Sequence, residues 1–361
     1  MKRSRTEYTQ KHAMGKVIVV AYNVNVGGGM VLLSDLIKSL PSGAMLLHDK
    51  RMLVDNVRCD ITYFQVDPTL LSRLKAEIKL KIWARYQDKV LCFGNLPPLF
   101  PSKAQVTLFL QNRFLLDKSC DSYLGVKSRI KLGIERIWLR IFVKNIDRVI
   151  VQTDSMSSLF KKKVQLPCDI HVVPIAANVD QLTLLAKATC SKTKQDLIYV
   201  ASGDLHKNHI RLFEALIVLA KEGLYPTLAI TVDEKKYPQL ELLRTDIVKR
   251  YGVKIKNLGV LSHCELIHKL PEYDALIYPS LLESFGLPLL EARSIGLDVI
   301  ASDFDFVRDV VVPDVSFDPL SSVSIAEAIG SYIYNRNSNF RKSPTPKFLV
   351  VQPAEKLLDY V

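Results

Sequence analysis

Two carboxylates beside a glycine turn are the groups in this sequence best suited to chemistry. Glu283 and Glu291 lie in the stretch Tyr278–Glu291, YPSLLESFGLPLLE, whose other residues are mostly apolar. Two glutamates eight residues apart are often ordinary surface charges, but a carboxylate among apolar side chains is costly unless it has a partner. The two oxygens of a carboxylate can accept hydrogen bonds from the neighbouring hydroxyls of a ribose or a hexose.

The residues around these carboxylates predict a strand, a loop and a helix. Residues 274–278 (DALIY) are a short apolar run, typical of a buried parallel strand. Gly286 is free to take a positive φ, and Pro288 suits the first turn of a helix that we expect Gly296 to end. The free N–H groups of that turn would face the carboxyl end of the strand, where open α/β sheets bind ligands and helix N-termini favour phosphate. The residues therefore predict a site for a phosphorylated, polyhydroxylated ligand.

The same stretch resembles the signature of a known family. PSLLESFGLPLLEA, followed by GLDVIASD, resembles the donor-site pattern E-x-F-G-L-P-x-x-E and G-x-P-V-I-A-S of retaining glycosyltransferases of family 4, or glycosyltransferase group 1. Asp298 stands where that family usually has proline. The resemblance implies the GT-B fold, an α/β architecture of two Rossmann-like domains facing each other across a cleft. It also implies transfer of a sugar from a nucleotide diphosphate sugar.

The resemblance assigns roles to individual residues of the second half. Glu283 would hold hydroxyls of the transferred sugar, and Glu291 would hold the ribose. Lys207 matches a lysine that neutralises the donor's diphosphate, although by itself it could be a solvated surface lysine. Serine and glycine stand near the place of the family's arginine, and the segment GVLS at 259–262 resembles the nucleotide-base loop. The donor contacts expected in addition to these residues are Ser202, Gly203, Val260, Ser284, Phe285, Gly286 and Leu287.

A glycine loop follows the first predicted strand, residues 16–21. Gly27, Gly28 and Gly29 lie between that strand and a predicted helix over residues 30–40. Such a loop lets the backbone approach a phosphate or a sugar closely. In the family that the chain resembles, the corresponding loop faces the cleft between the domains.

Two amides stand on the expected acceptor or sugar side of the cleft. Gln111 and Asn112 follow a predicted strand, residues 105–110, in a neighbourhood where related enzymes often carry histidine. Both side chains can hydrogen-bond a sugar hydroxyl, but neither is a useful general base. The stereochemistry of the family implies attack from the face of the leaving group, whose phosphate would take the acceptor's proton.

The sequence gives no indication of a metal or of a bound cofactor. There is no Asp-x-Asp motif, and the six cysteines and seven histidines show no ligand spacing. We therefore expect metal-independent chemistry with the nucleotide sugar as co-substrate. Scattered, unpaired cysteines are typical of reduced thiols in a cytosolic protein.

Other functions remain open on the same fold. A non-catalytic protein that binds a sugar nucleotide or a glycan is favoured by the missing arginine and histidine. A GT-B epimerase or phosphorylase would share the architecture. A phosphorylase would need a lysine that carries pyridoxal phosphate, and no segment indicates one.

The length of 361 residues suits two domains. We divide the chain into a basic tail at 1–15, an acceptor-side domain at 16–180, a linker at 181–195, a nucleotide-sugar-binding domain at 196–335, and a segment at 336–361 expected to pack back on the first domain. The polar start is interpreted as a tail and not as a signal peptide. No apolar run approaches the roughly 20 residues of a membrane-spanning helix.

The net charge of +12 is concentrated in two predicted helices, residues 71–89 and 126–148, which also carry Trp83 and Trp138. No nucleic-acid-binding module is visible, so no nucleic-acid partner is expected. We interpret both as amphipathic helices with the apolar stripe turned inward and the basic face turned toward solvent or anionic lipid. With a lipid-linked acceptor, as in synthesis of O-antigen, capsule or lipopolysaccharide, the protein would lie on the cytoplasmic face of the membrane and detach at high salt.

Overall fold

The chain forms two parallel β-sheets with helices packed on their faces. The structure is a computed structural model that describes residues 15–25, 27–52, 57–164, 168–176, 195–336 and 350–361. Within these residues every pairing between the named strands is parallel. The expected pair of Rossmann-like α/β domains is therefore confirmed.

The first domain is built on a seven-stranded sheet whose central strands are apolar runs buried on both faces. The spatial order of its strands is β3-β2-β1-β4-β5-β6-β7. The strands are β1 Val17–Ala21, β2 Met45–Asp49, β3 Thr62–Val66, β4 Lys89–Cys92, β5 Gln105–Phe109, β6 Arg148–Val151 and β7 Asp169–Val172. The helices are α1 Gly28–Ser39, α2 Leu70–Trp83, α3 Val126–Phe142 and α4 Asp154–Val164.

The second domain repeats this plan on a six-stranded sheet of order β10-β9-β8-β11-β12-β13. The strands are β8 Gln195–Tyr199, β9 Thr227–Ile230, β10 Lys254–Asn257, β11 Tyr273–Tyr278, β12 Asp298–Ser302 and β13 Val315–Phe317. The helices are α5 His209–Lys221, α6 Pro238–Tyr251, α7 His263–Lys269, α8 Leu287–Ser294, α9 Asp305–Arg308 and α10 Ser322–Arg336.

Each sheet reverses its strand order at one point, between β1 and β4 in the first domain and between β8 and β11 in the second. Open α/β sheets bind ligands at the carboxyl ends of the strands beside such a reversal. The loops that leave these four strands carry Gly27, Asn95, Lys207 and Glu283. The fold therefore brings the chemically interesting residues of the sequence to the two reversal points.

Residues 350–361 lie against the first domain, although they follow the second domain in sequence. Gln352 pairs with Ile175 in an isolated parallel bridge, and the hydroxyl of Thr107 donates to the carbonyl of Tyr360 at 3.0 Å. Leu357 is fully buried in the core between the first sheet and α1. Residues 337–349 of the expected C-terminal segment lie outside the described residues. Residues 1–14 of the tail and residues 181–194 of the linker also lie outside them.

The two basic helices are shorter than predicted. α2 ends at Trp83 and α3 ends at Phe142, followed by a single 3-10 turn at Val143–Asn145. The predicted ranges were too long because the residues at their ends, Lys89 and Arg148, begin strands β4 and β6.

The predicted inward orientation of their apolar stripes is wrong. Ile130, Ile134 and Ile137 of α3 are 60%, 59% and 59% exposed. The tryptophans take the inward positions instead. The indole of Trp138 donates to the carbonyl of Pro97 at 2.9 Å, and Trp83 packs edge-on against a phenylalanine of β3. The aromatic side chains and Leu139 thus cover the sheet, and the isoleucines lie on the opposite side of the helix.

None of the helices in the described part of the chain is long and apolar enough to cross a membrane.

Asn208 ties together three loops of the second domain, and we expect its amide to be important for stability. It is buried with a φ of 64°, and its Nδ2 donates to the carbonyls of Pro279 at 3.1 Å and Pro319 at 2.8 Å. We expect Asn208→Gly to lower the free energy of unfolding by about 1–3 kcal/mol, because glycine keeps the backbone conformation but leaves two carbonyls unpaired. Chemical denaturation measures this change, and an unfolding free energy equal to that of the wild type would contradict it.

Candidate functional site

A cleft of about 890 Å³ lies between the two domains. Its volume falls within the roughly 300–1,000 Å³ of typical small-molecule sites. All but one of the site residues expected from the sequence line this cleft, and Gly203 is the exception. The residues brought together are Gly27, Gly28, Gly29, Gln111, Asn112, Ser202, Lys207, Val260, Glu283, Ser284, Phe285, Gly286, Leu287 and Glu291.

An ion pair between Lys207 and Glu283 lies at the centre of the second domain's side of the cleft. The Nζ of Lys207 is 2.6 Å from Oε1 of Glu283, and the two side chains are only 16% and 12% exposed. Burial alone would raise the pKa of the Glu283 carboxyl. The charge and hydrogen bond of Lys207, together with hydrogen bonds from Ser280 and Tyr278, hold that pKa below its usual value. Glu283 is therefore ionised at neutral pH.

Tyr199 fixes the two loops that carry this pair. Its hydroxyl donates to the carbonyl of Lys207 at 2.7 Å and forms a hydrogen bond with the hydroxyl of Ser280 at 2.9 Å. Tyr199 ends β8 and Ser280 follows β11, and these strands are neighbours in the sheet. The ion pair is thus held by a fully buried side chain as well as by the sheet.

Gly286 turns the chain from the Glu283 loop into α8. Its φ is 80°, in the left-handed region that favours glycine, and a Cβ here would lie 3.0 Å from Cδ1 of Leu289. The first N–H groups of a helix have no partner within the helix, and together with the helix dipole they attract anions. The end of α8 beside the ion pair is therefore suited to a phosphate group.

The glycines of the first domain approach the same helix, and Gly28 and Gly29 are the first residues of α1, which begins two residues earlier than predicted. A Cβ at Gly28 would lie 3.1 Å from Cδ1 of Leu287, the first residue of α8, and a Cβ at Gly29 would lie 3.6 Å from Oε1 of Gln111. Side chains at these positions would narrow the cleft.

Glu291 has a partner that the sequence did not reveal. Its Oε1 is 2.9 Å from Nε2 of His263, the first residue of α7. The hydrogen bond that His263 donates to the Glu291 carboxylate raises the pKa of His263. The sequence does contain a signal for this helix, because Ser262 and Glu265 form the S-x-x-E capping box that marks a helix start.

Near the position where the family has arginine, the chain has a hydrogen-bond network around the carboxylate of Asp204. The hydroxyls of Ser202 and Tyr237 donate to the two oxygens of Asp204, at 2.6 and 2.9 Å. Burial acts to raise the pKa of Asp204, but these hydrogen bonds hold it below its usual value. A Cβ at Gly203 would lie 2.5 Å from the ring of Tyr237, so this glycine makes room for the tyrosine.

Lys236 lines the cleft and is a second cation there in addition to Lys207. The sequence analysis did not identify it as a site residue. It lies beside Tyr237, with its Nζ 4.9 Å from the centre of that ring, and their hydrogen bond raises the pKa of the lysine. The loop that carries it lies between β9 and α6, a helix not predicted from the sequence. Pro238, which opens α6, is the signal that could have placed Lys236 at this edge of the sheet.

The side chain of Asn95 fixes the backbone of Gln111 and Asn112 in the first domain. Asn95, with a φ of 68°, accepts hydrogen bonds from the backbone N–H groups of Gln111 at 2.6 Å and Asn112 at 2.8 Å. The side chain of Asn112 caps the 3-10 turn Arg113–Leu115 by accepting from Phe114, and that of Gln111 donates to the carbonyl of Phe93 at 3.3 Å. Both amides face the cleft, and their roles toward an acceptor stay predictions.

Arg113 connects the two domains beside this site. Its backbone N–H donates to the hydroxyl of Ser284 at 3.0 Å, and its guanidinium lies 2.8 Å from a carboxylate oxygen of Asp305. On the next residue, the ring of Phe114 contacts that of His206 edge-on at 5.3 Å. Ser284, expected to contact the donor, therefore also bonds to the first domain.

Within the described residues no group of three His, Cys, Asp or Glu side chains is placed to hold a metal ion.

Residues 180–345 match the family model for Glycosyl transferases group 1, and this segment is slightly less than half of the chain. No curated protein sequence matches the chain. Among solved structures, the chain is similar to HepE from Anabaena in complex with UDP and glucose, with 13% identity, a TM-score of 0.63, and 90% of this chain and 91% of that one covered. It is also similar to the UDP-forming α,α-trehalose-phosphate synthase of Burkholderia vietnamiensis, with 13% identity, a TM-score of 0.66, and 88% of this chain and 92% of that one covered. The sucrose-phosphate synthase of Thermosynechococcus elongatus is similar with 14% identity, a TM-score of 0.66, and 90% of each chain covered.

These findings establish the fold, and the predicted GT-B architecture is confirmed. The match to the glycosyltransferase group 1 model falls on the part of the chain that contains the second domain. At 13–14% identity the similarity to the solved structures shows the fold alone.

We expect Glu291→Gln to lower the pKa of His263 toward its ordinary value of 6.5, because the amide cannot stabilise the imidazolium as the carboxylate does. Since the pKa of His263 is raised in the folded protein, the pair contributes fully to stability below about pH 6.5. This contribution is lost as the pH rises through the folded pKa. Proton NMR of the histidine ring against pH measures the change. Glu265→Gln, on the same helix but bonded to Ser262, is the control that should leave the pKa of His263 in place.

Proposed function

We propose that this protein is a retaining, metal-independent glycosyltransferase of family 4. It would move a hexose-type sugar from a nucleotide diphosphate sugar to a glycan. The observation that carries the proposal is the buried Lys207–Glu283 pair beside the N-terminus of α8, in a cleft one side of which is a glycosyltransferase group 1 domain. Structures of similar fold include one with bound UDP and one of a UDP-forming enzyme, which makes a uridine diphosphate sugar the first donor to test.

The cleft offers a place for each part of the donor. Glu291 would accept hydrogen bonds from the ribose hydroxyls, and the base would lie near Val260, which is 71% exposed at the edge of the cleft. The diphosphate would lie between Lys207 and the free N–H groups of α8. Glu283 would then hold hydroxyls of the sugar, and Lys207 would neutralise the charge of the Glu283 carboxylate.

In the transfer step the bond between the anomeric carbon and the diphosphate oxygen breaks, and its electron pair stays on that oxygen. Lys207 and the α8 N–H groups stabilise the developing negative charge, which is the term that lowers the barrier most in such a site. The acceptor oxygen forms its bond on the face that the diphosphate leaves, and the departing phosphate takes the acceptor's proton. Glu283 acts by positioning and not as a nucleophile.

The acceptor would enter from the first domain, past Gly27, Gly28 and Gly29 and the amides of Gln111 and Asn112. We take it to be a lipid-linked glycan in cell-surface polysaccharide synthesis of the O-antigen, capsule or lipopolysaccharide type. The protein would then work as a peripheral protein on the cytoplasmic, anionic face of a membrane. The basic and apolar outer faces of α2 and α3 support this part of the proposal.

A non-catalytic sugar-nucleotide-binding protein is the second candidate, favoured by the Ser202–Asp204–Tyr237 network at the position expected to hold arginine. Incubation with nucleotide sugars and a membrane extract as acceptor, with release of nucleoside diphosphate and the mass of the product as readouts, separates the two. A control without acceptor measures hydrolysis, and a product of unchanged mass but different sugar configuration would indicate an epimerase. Tight nucleotide binding with no turnover on any donor would favour the binding protein.

We expect Lys207→Ala to remove most of the difference in affinity between a nucleoside diphosphate and its nucleoside, because the lysine would contact the phosphates and no other part of the nucleotide. The loss of a charged hydrogen bond of about 1.5–3 kcal/mol corresponds to roughly ten- to hundred-fold in affinity. Isothermal titration with both ligands measures it, and Lys235→Ala, on an exposed neighbouring loop, is the matched control. An undiminished difference would assign the phosphates to another cation, with Lys236 the next to test.

The two carboxylates should fail in different ways. We expect Glu291→Ala to weaken both the donor and the free nucleotide by roughly ten- to hundred-fold, since both carry the ribose. Glu283→Ala should lower kcat by a similar factor with little change in the affinity for free nucleotide, since the nucleotide lacks the sugar. Steady-state kinetics and titration together measure the split. Equal nucleotide affinity in Glu291→Ala and the wild type would rule out the ribose role.

A further inference from the structure

We propose that the outer faces of α2 and α3 form one docking surface whose apolar side chains insert into an anionic lipid leaflet. The proposal extends the one above and rests on it for the lipid-linked acceptor, but the surface can be tested without any transfer reaction.

A row of branched apolar side chains runs along the outside of α3. Ile130, Ile134, Ile137 and Ile141 are spaced by three and four residues, so they share one face of the helix, and Val126 extends the row. Their exposed fractions lie between 52% and 69%. Contiguous exposed apolar surface of this kind marks an interaction site in a folded protein.

The neighbouring helix α2 adds a second apolar row. Leu70, Leu71 and Ile82 are 87%, 73% and 71% exposed, and Leu74 and Ile78 lie between them on the helix. The two helices are neighbours on the same side of the sheet, because the guanidinium of an α2 arginine lies 4.9 Å from the ring centre of the α3 tryptophan. The two rows therefore belong to one surface, which we call the docking surface.

Basic side chains border the α3 row on both sides. With about 100° of rotation per residue, Lys127 and Lys131 fall on one side of the isoleucines, and Arg129 and Arg140 fall on the other. All four are exposed. The single acidic residue of α3, Glu135, is on the inward side with a side chain only 16% exposed. An apolar centre with basic borders is the pattern of a helix that lies in the plane of a membrane interface.

This charge pattern favours an anionic lipid leaflet over a second copy of the chain. Two identical copies would bring basic borders against basic borders, whereas anionic headgroups neutralise them. Insertion also changes the expected response to salt. Charge attraction is screened within about 8 Å at physiological ionic strength, but apolar burial is not. High salt should therefore weaken the binding to vesicles without abolishing it. The sequence alone predicted that the protein would detach completely at high salt.

The inward side of α3 connects the docking surface to the cleft. Arg136 donates to the carbonyl of Phe114 at 2.7 Å and pairs with Asp121 at 2.6 Å, so it braces the loop between β5 and α3. Phe114 lines the cleft and contacts His206, the neighbour of Lys207. A helix lying in the leaflet would thus hold the rim of the cleft next to the lipid. Arg136 lies within the basic helix predicted over residues 126–148, but these contacts make it unavailable to headgroups.

Co-sedimentation with vesicles tests the surface with three variants of the full chain. The apolar variant carries Ile130→Ser, Ile134→Ser and Ile137→Ser, and the charge variant carries Lys127→Gln, Lys131→Gln, Arg129→Gln and Arg140→Gln. The matched control removes equally exposed apolar side chains from the second domain, through Leu242→Ser, Val312→Ser and Val323→Ser. The vesicles are phosphatidylcholine alone or mixed with phosphatidylglycerol, at low and high salt.

We expect the wild type and the control to bind the anionic vesicles and to keep part of this binding at high salt. The apolar variant should lose about tenfold or more in partitioning at both salt concentrations, because three isoleucines no longer leave water. The charge variant should lose the preference for phosphatidylglycerol. Because every substituted residue is exposed, an unchanged thermal unfolding midpoint serves as the check on folding in all variants.

Equal sedimentation of the apolar variant and the wild type would overturn the proposal. So would a dimer in analytical ultracentrifugation that the apolar variant abolishes, together with no vesicle binding, because the face would then join two copies. Vesicle binding in a protein that transfers no sugar would count against the proposed reaction and leave the docking surface standing.

Discussion

The need of a buried carboxylate for a partner organises the second domain around Glu283. Among apolar neighbours its charge is stabilised first by Lys207, which is in contact with it, and then by hydrogen bonds from Ser280 and Tyr278. The two residues are 76 positions apart in sequence, so β8 and β11 must be adjacent and their loops must hold one relative position. Tyr199 bonds to both loops, and Asn208, which follows Lys207, bonds to the carbonyl of Pro279 in the other loop. These contacts supply that constraint. The same pair then presents a cation and an acceptor to anything that enters the cleft.

The geometry of the cleft depends on both domains at once. Arg113 contacts Ser284 of the donor loop and Asp305 of α9, and Gly28 approaches the first residue of α8. A displacement of one sheet relative to the other would therefore alter the loop that carries Glu283. The shape of the cleft and the arrangement of the domains are therefore linked through these contacts.

The residues that could be identified from the sequence are those whose signal is local. Glu283 and Glu291 belong to one strand–turn–helix unit with a turn glycine, and Lys207 follows the strand of another. The partners His263 and Tyr237 could not be foreseen, because they lie 28 and 33 residues away in sequence from Glu291 and Asp204, which they contact. For α3 the periodicity correctly indicated an apolar stripe. It could not tell which side of the helix the sheet would cover, because both sides carry large apolar side chains.

Residues 350–361 complete the first domain, and this has a consequence for how the protein is made. A ribosome releases the chain at about 5–20 residues per second, and domains generally fold as units as they emerge. Here Gln352 must pair with Ile175, and Leu357 must enter the core beside α1. The whole second domain is therefore synthesised while the first still has an open edge. The first domain thus begins to fold first but is completed last. Until residues 350–361 are synthesised, the apolar surface that Leu357 will cover stays exposed to chaperones and to neighbouring chains.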